Sequence, residues 1–296
     1  MPQYCRYDCY SLLRISGVLG VLMLAGCGQK VYEERLQESR LFYEYLQTIE
    51  EALAKAPWKR PDLGMSMRVP KPFSVTMPGP AVHKDKEGEL VTGPDPREKN
   101  SLGAPLPGLM EAWECALDSP DGQPNAWIYL LTNHSRFRDV DQGGPSPDDF
   151  LTDLEHELMR LFQVTIPEGE TSRIGDNVRY RQWIPTQNSA RARYTSPKDY
   201  TVIRFVPDAE YNSADLQATV YERKVGKIQV ALVFLTRKST SAAFRQRVGV
   251  ALETFDVDEV FLPRNRPAAA PGTAETPSTG TPSSGAPAPR SSNPGF

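Results

Sequence analysis

Histidine and cysteine are scarce in this chain of 296 residues, which holds three of the first and four of the second. Cys5, Cys9 and Cys27 crowd into the N-terminal segment, so Cys115 alone is left to the body. One thiol forms no internal disulfide, and neither a disulfide framework nor a metal cluster supplies stability. The core must hold by apolar burial. An excess of basic residues is lacking too: 34 lysines and arginines against 37 acids give a formal net charge of -3. This argues against a general nucleic-acid binder, which needs a basic surface to displace counterions from phosphates. No long apolar run follows residue 25, so no second membrane span is available. Gly-x-Ser-x-Gly, a phosphate-binding loop and a dinucleotide fingerprint are all missing, and no cofactor is expected.

What is present begins at the N-terminus. Arg6 and Arg14 outweigh Asp8, and the uncharged run Ile15 to Ala25 follows. At about eleven residues it is too short to cross a bilayer stably, but it has the length of a signal-peptide apolar region. It ends in Leu24-Ala25-Gly26-Cys27, which resembles the lipobox of bacterial lipoproteins. The resemblance implies a diacylglyceryl group on the Cys27 thiol and cleavage by signal peptidase II between Gly26 and Cys27. Each buried methylene contributes about 0.8 kcal/mol, so several acyl chains give lasting attachment where one gives marginal binding. The expected location is the bacterial cell envelope. Gly28, standing where Asp would favour inner-membrane retention, points to the outer membrane, facing the periplasm.

The segments divide as a signal peptide over 1–26, a lipidated N-terminus with a helix over 27–61, one globular domain over 62–262 and a tail over 263–296. The helix is expected from Val31 to Lys55, with Leu36, Phe42 or Tyr43, Leu46, Ile49 and Leu53 on one face. It could serve as a coiled-coil stalk, but so short a stripe favours packing on the body. Met65–Pro70 and Phe73–Met77 look extended, and Pro78 to Pro107 reads as an exposed insertion. Trp113, Cys115 and Leu117 alternate with Glu114 and Ala116 as on a strand, and Ala126–Leu131 reads as a central strand apolar on both faces. Ser146-Pro147-Asp148-Asp149 opens a helix as a capping box, with Phe150, Leu151, Leu154, Leu158, Leu161 and Phe162 as its buried stripe. Strands are expected at Asn177–Ile184, Tyr200–Val206, Leu216–Arg223 and Ile228–Thr236, the last two as an antiparallel hairpin. Thr240 or Ser241 caps a closing helix with Phe244, Val248, Leu252 and Phe255 on one face. The tail, rich in Pro, Ala, Ser and Thr, cannot bury enough apolar surface to offset its ordering entropy, so disorder is expected.

These elements predict an α+β fold, a largely antiparallel sheet with helices packed on it and an N-terminal helix before it. The order of elements over about 64–262, a last hairpin followed by a helix, resembles PsbP/Mog1-type domains. That resemblance implies a binding or assembly module and supplies no active site.

Candidate chemistry is sparse. His156-Glu157-Leu158-Met159-Arg160 departs from the zinc-protease helix at Arg160, a cation where the second ligand would stand. Cys115, on an apolar strand, reads as a buried core thiol rather than a nucleophile. Asp256, Asp258 and Glu259 read as a solvated helix exit. The one cluster that points to binding is basic. Arg179, Arg181, Arg191, Arg193 and Lys198 are interleaved with Tyr180, Trp183 and Tyr194. Arg179, Arg181 and Trp183 share a strand face and, with Arg193, form a candidate surface for an anionic ligand. The alternative is a sheet edge protected by charge. The chain therefore reads as a non-enzymatic lipoprotein, held on the membrane by its lipid anchor, that binds another envelope protein or an anionic polymer. An envelope enzyme with a dispersed site is the alternative.

Overall fold

The computed structural model describes residues 8–258 apart from 87, 99–104, 118, 120, 167–168 and 208–214, with side chains from residue 29 onward, Asp141 excepted. Met1–Tyr7, the Cys27 side chain, Glu259 and the tail 263–296 lie outside the described residues. In chain order the elements are α1 (Asp8–Ala52), β1 (Trp58–Arg60), β2 (Met65–Met67), β3 (Val82–Lys84), β4 (Leu90–Thr92), β5 (Leu109–Cys115) and β6 (Ala126–Thr132). There follow α2 (Arg136–Asp139), α3 (Phe150–Phe162), β7 (Ser172–Ile174), β8 (Asn177–Ile184), β9 (Lys198–Phe205), β10 (Leu216–Val225), β11 (Ile228–Arg237), α4 (Ala242–Thr254) and β12 (Asp256–Val257). No helix among the described residues is long and apolar enough to cross a membrane.

The protein is α+β. A seven-stranded antiparallel sheet, in the order β5-β6-β11-β10-β9-β8-β7, is flanked by helices on both faces. Its centre is the β10–β11 hairpin, in register from Leu216↔Arg237 to Val225↔Ile228. The turn is the tight pair Gly226-Lys227, shorter than the four-residue loop expected, with Gly226 at φ 56, where a side chain would be strained. Alternation then sorts each strand into two layers. Ala218, Val220, Ala231 and Val233 bury against Phe150, Leu154 and Leu158 of α3. Val230, Leu232, Ile128 and Leu130 bury on the other side with Phe244, Val248 and Leu252 of α4. Trp113 and Ala112 of β5 fall in opposite layers, and Cys115 is half-buried rather than a full member of the core. Gly108 admits β5 beside β6: a Cβ there would stand 2.2 Å from the Thr132 carbonyl oxygen.

Helix α3 begins differently from the expected capping box. Ser146 Oγ accepts the Asp148 N–H at 3.2 Å, and Asp149 offers no side-chain cap, so Pro147–Asp149 form a 3-10 turn before the α-helix. The start of α3 is held instead by buried amides. Gln229 accepts the Leu151 N–H at 3.1 Å and donates to the Asp148 carbonyl at 2.7 Å, while Asn133 accepts the Gln229 N–H at 3.0 Å. Ser241 caps α4 as expected, accepting from the Phe244 N–H at 3.3 Å.

The N-terminal helix divides along its length. Tyr45, Ile49, Ala52 and Leu53 pack on Val250 and Ala251 of α4, with Tyr194 against them. Leu36, Phe42, Tyr43 and Leu46, expected on the same stripe, are exposed. The last turns bury against the body, and further up Phe42 and the Glu38 carbonyl touch Tyr194.

Other segments correct the sequence reading. Phe73–Met77 is not a strand, although Phe73 is fully buried and Thr76 bridges to Trp113. Asp256 and Asp258 are not a helix exit: β12 pairs with β2 in a small sheet, β1-β2-β12, on the α4 side. The insertion carries the exposed β3–β4 hairpin, but Arg97 anchors it, donating to Asp95 and to the Met110 carbonyl of β5.

Candidate functional site

The β8–β9–β10 register places side chains from three strands in rows across the sheet. Arg181 of β8 pairs with Thr201 of β9, which pairs with Glu222 of β10, so all three face the α3 side. Arg179 stands one step along on the same face, beside Ile203, and Trp183 one step the other way, beside Asp199. The first turns of α3, at Leu151, Thr152 and Glu155, form one wall of this corner. The result is a cleft of about 790 Å³ where Arg179, Arg181, Trp183, Lys198, Asp199 and Glu222 meet Glu155 of α3. That volume lies within the usual range for small-molecule sites, about 300–1,000 Å³.

The cations are not bare. Arg179 donates through Nη2 to Glu155, and Arg181 pairs with Asp199 and stands 3.5 Å from Glu170. Trp183 is 41% exposed, an open aromatic surface beside them. Glu222 behaves differently. Burial pushes its carboxyl up to about 8, while the nearby charges of Arg179 and Lys224 pull it back down. It is therefore largely protonated at neutral pH, a donor as well as an acceptor. Burial also depresses Lys198, with Asp256 raising it, Arg223 lowering it and Glu253 raising it again.

Three buried polar atoms on this face have no hydrogen-bond partner among the described residues: Arg179 Nε, Asp199 Oδ1 and Glu222 Oε1. Leaving a buried donor or acceptor unmade costs about 1–3 kcal/mol, so three in one place call for a partner beyond the described residues. One is a donor, one an acceptor, and the protonated Glu222 carboxyl can act as either; they come from three strands.

The rest of the basic segment leaves the cleft. Arg191 and Arg193 lie on the 3-10 turn Ala190–Arg193. Arg191 pairs with Glu253 of α4 at 2.7 Å, and Lys198, at the rim of the cleft, donates to the Glu253 carbonyl at 2.5 Å. Tyr194 stacks on Tyr45 of α1 with centroids 5.3 Å apart. Arg193 is exposed and does not line the cleft. Of the three arginines expected on one anionic-ligand face, two are brought together and Arg193 is not. The interruption of β8 by the loop before β9 is what separates them.

Glu222 was not legible as a site residue. Leu216, Ala218, Val220 and Glu222 alternate along β10, and the one signal is a carboxylate at the fourth inward position. His156 is exposed on α3, where Arg160 pairs with Glu157 at 2.5 Å. Among the described residues no group of three or more His, Cys, Asp or Glu could hold a metal ion.

No family model matches the chain. No curated protein matches it either. Among solved structures, a crystal structure from Bacteroides thetaiotaomicron VPI-5482 is similar at 11% identity over 68% of this chain, with a TM-score of 0.24. The match spans 48% of that chain, about half its length, and a likeness this faint has no bearing on fold or function.

Proposed function

We propose that the protein is a lipid-anchored envelope lipoprotein whose body is a binding module, with the Arg179–Arg181–Trp183–Glu222 cleft as its site for an anionic, hydroxyl-bearing polymer. The observation that carries this reading is the convergence of three buried polar atoms in one cleft with no partner among the described residues. A ligand with both acceptors and hydroxyl donors satisfies them. Its charge follows from the lining: Arg179, Arg181, Lys198, Arg223 and Lys224 outnumber Glu155, Glu170 and Asp199, with Glu222 protonated. Trp183 offers a face on which an apolar ligand surface can rest. The anchor rests on Leu24-Ala25-Gly26-Cys27 and the charge pattern ahead of it.

Two experiments test the two halves. Cells labelled with an alkyne fatty acid should incorporate it into the wild type and not into Cys27→Ser; equal label would remove the anchor. Dextran sulfate should bind the purified full chain, more weakly at high salt because exposed charges are screened over about 10 Å at 0.1 M. Uncharged dextran should not bind comparably. Arg181→Glu should weaken dextran sulfate binding, while Arg193→Glu, outside the cleft, should not. Equal loss from both variants would return the cluster to a nonspecific basic surface.

A second reading has one observation in its favour. Burial raises Glu222 and lowers Lys198, drawing both towards the neutral range in which general acids and bases work. It requires turnover of an envelope polymer by the wild type that Glu222→Gln abolishes while retaining binding.

A further inference from the structure

The other face of the same strands holds a smaller pocket, and we propose that it is a second site, for a small ring-bearing anion of the aromatic carboxylate class. Its construction follows from register. Val178, Arg204, Thr219 and Phe234 form one row across β8 to β11, and Tyr180, Val202 and Tyr221 the next. Helix α4 covers the middle of this face but begins beside these rows, so Phe244, Arg245 and Val248 close the pocket from above. The enclosed volume is about 240 Å³.

The lining is apolar at its base and cationic at its mouth. Tyr221 and Phe234 meet edge to face, with centroids 5.6 Å apart. Phe234 and Phe244 are buried, whereas Arg173 and Arg245 are exposed. Among the described residues no carboxylate lines the space. The cations differ from those of the cleft in what neutralises them. Arg204 donates through Nε and Nη2 to the Asp176 main-chain carbonyl at 3.2 and 3.0 Å, and Arg245 through Nη1 to the Thr240 carbonyl at 2.8 Å. A carbonyl satisfies an N–H but leaves the charge. Arg173 stands 4.0 Å from the exposed Asp176.

Size and charge together select the ligand. An apolar cavity of about 150 Å³ holds benzene, so this pocket holds one ring and a compact substituent but no long acyl chain. Edge-to-face packing on Tyr221, Phe234 and Phe244 suits a ring, and uncompensated guanidinium groups at the mouth suit a carboxylate, which arginine can grip with two parallel bonds. The start of α4, capped by Ser241, adds its positive dipole end at the same mouth.

Benzoate is the probe, titrated into the purified full chain and read by saturation-transfer NMR, with benzyl alcohol and acetate as the uncharged and ringless counterparts. Benzoate should bind saturably and each counterpart at least about tenfold more weakly, a charge-assisted hydrogen bond being worth that much or more. Arg245→Gln, an exposed change on α4, should weaken benzoate several-fold and leave benzyl alcohol unchanged. Thr219→Phe should fill the pocket and abolish benzoate binding, with circular dichroism confirming the fold. Absence of saturable benzoate binding, equal affinity for benzyl alcohol, or indifference to Arg245→Gln would each overturn the proposal. Glu222→Gln, in the cleft across the sheet, should not alter benzoate binding, which separates this site from the other.

Discussion

Strand β8 presents Arg179, Arg181 and Trp183 to one side of the sheet and Val178 and Tyr180 to the other, and the two sides treat charge in opposite ways. On the α3 side the arginines are matched by Glu155, Asp199 and Glu170, yet three buried polar atoms lack a partner among the described residues. On the α4 side Arg204 and Arg245 lean only on main-chain carbonyls, over an aromatic floor. Counting cations by sequence therefore misleads. The strand that is rich in arginine contributes a nearly balanced surface, and isolated arginines on neighbouring elements keep their charge. What matters is whether a carboxylate occupies the adjoining row or the helix above it.

The largest effects should come from the two layers themselves. Leu154 of α3 and Leu252 of α4 are both fully buried, one on each face. Leu154→Ala and Leu252→Ala should each lower stability by about 2–5 kcal/mol in urea unfolding, the range for buried leucine truncation. Similar losses would make the faces equal structural partners. A loss below about 1 kcal/mol for either would mean that its helix is a loose cover rather than a layer.

The next effect separates the faces by pH. Burial pushes the Glu222 carboxyl up to about 8 from an ordinary 4.5. A carboxyl raised in this way contributes stability that is fully present below 4.5 and is lost as pH rises through about 8. The loss is on the order of a few kcal/mol, since each unit is worth about 1.4 kcal/mol. Glu222→Gln stays neutral, so its advantage over the wild type should grow between pH 5 and pH 9 in paired unfolding curves. Parallel curves would show that the Glu222 carboxyl is ionised throughout, and the cleft would then be close to neutral.

The smallest effect concerns a surface that covers neither face. Leu36 and Tyr43 of α1 are 58% and 70% exposed. Leu36→Ser and Tyr43→Ser should change stability by no more than about 0.5 kcal/mol. A cost above about 1 kcal/mol would show that the early turns of α1 dock on the body, extending the α4-side layer.

Much of the fold was legible because periodicity reports burial. The hairpin Leu216–Arg237, the strand Asn177–Ile184 and the α3 stripe follow from alternation at two and at 3.6 residues, and each appears within a residue or two of its expected bounds. Short elements escaped for the converse reason. Trp58–Arg60, Ser172–Ile174 and Asp256–Val257 hold two or three residues each, too few to show a period, and exist because a neighbour completes their hydrogen bonds. The expected capping box failed because a serine followed by an acid three residues on specifies a helix start only if the backbone between them is α-helical, and Pro147–Asp149 take the tighter turn.

The sequence by itself determined which residues share a face of a strand, since that depends only on local alternation. It placed Arg179, Arg181 and Trp183 together before any partner strand was known. Only the tertiary structure decided what each face meets. It brought Glu155 onto Arg179, buried Glu222 until its proton is held to about pH 8, and left Arg193 exposed outside the cleft. Charge neutralisation and desolvation act across space between residues far apart in the chain, and no local pattern encodes them.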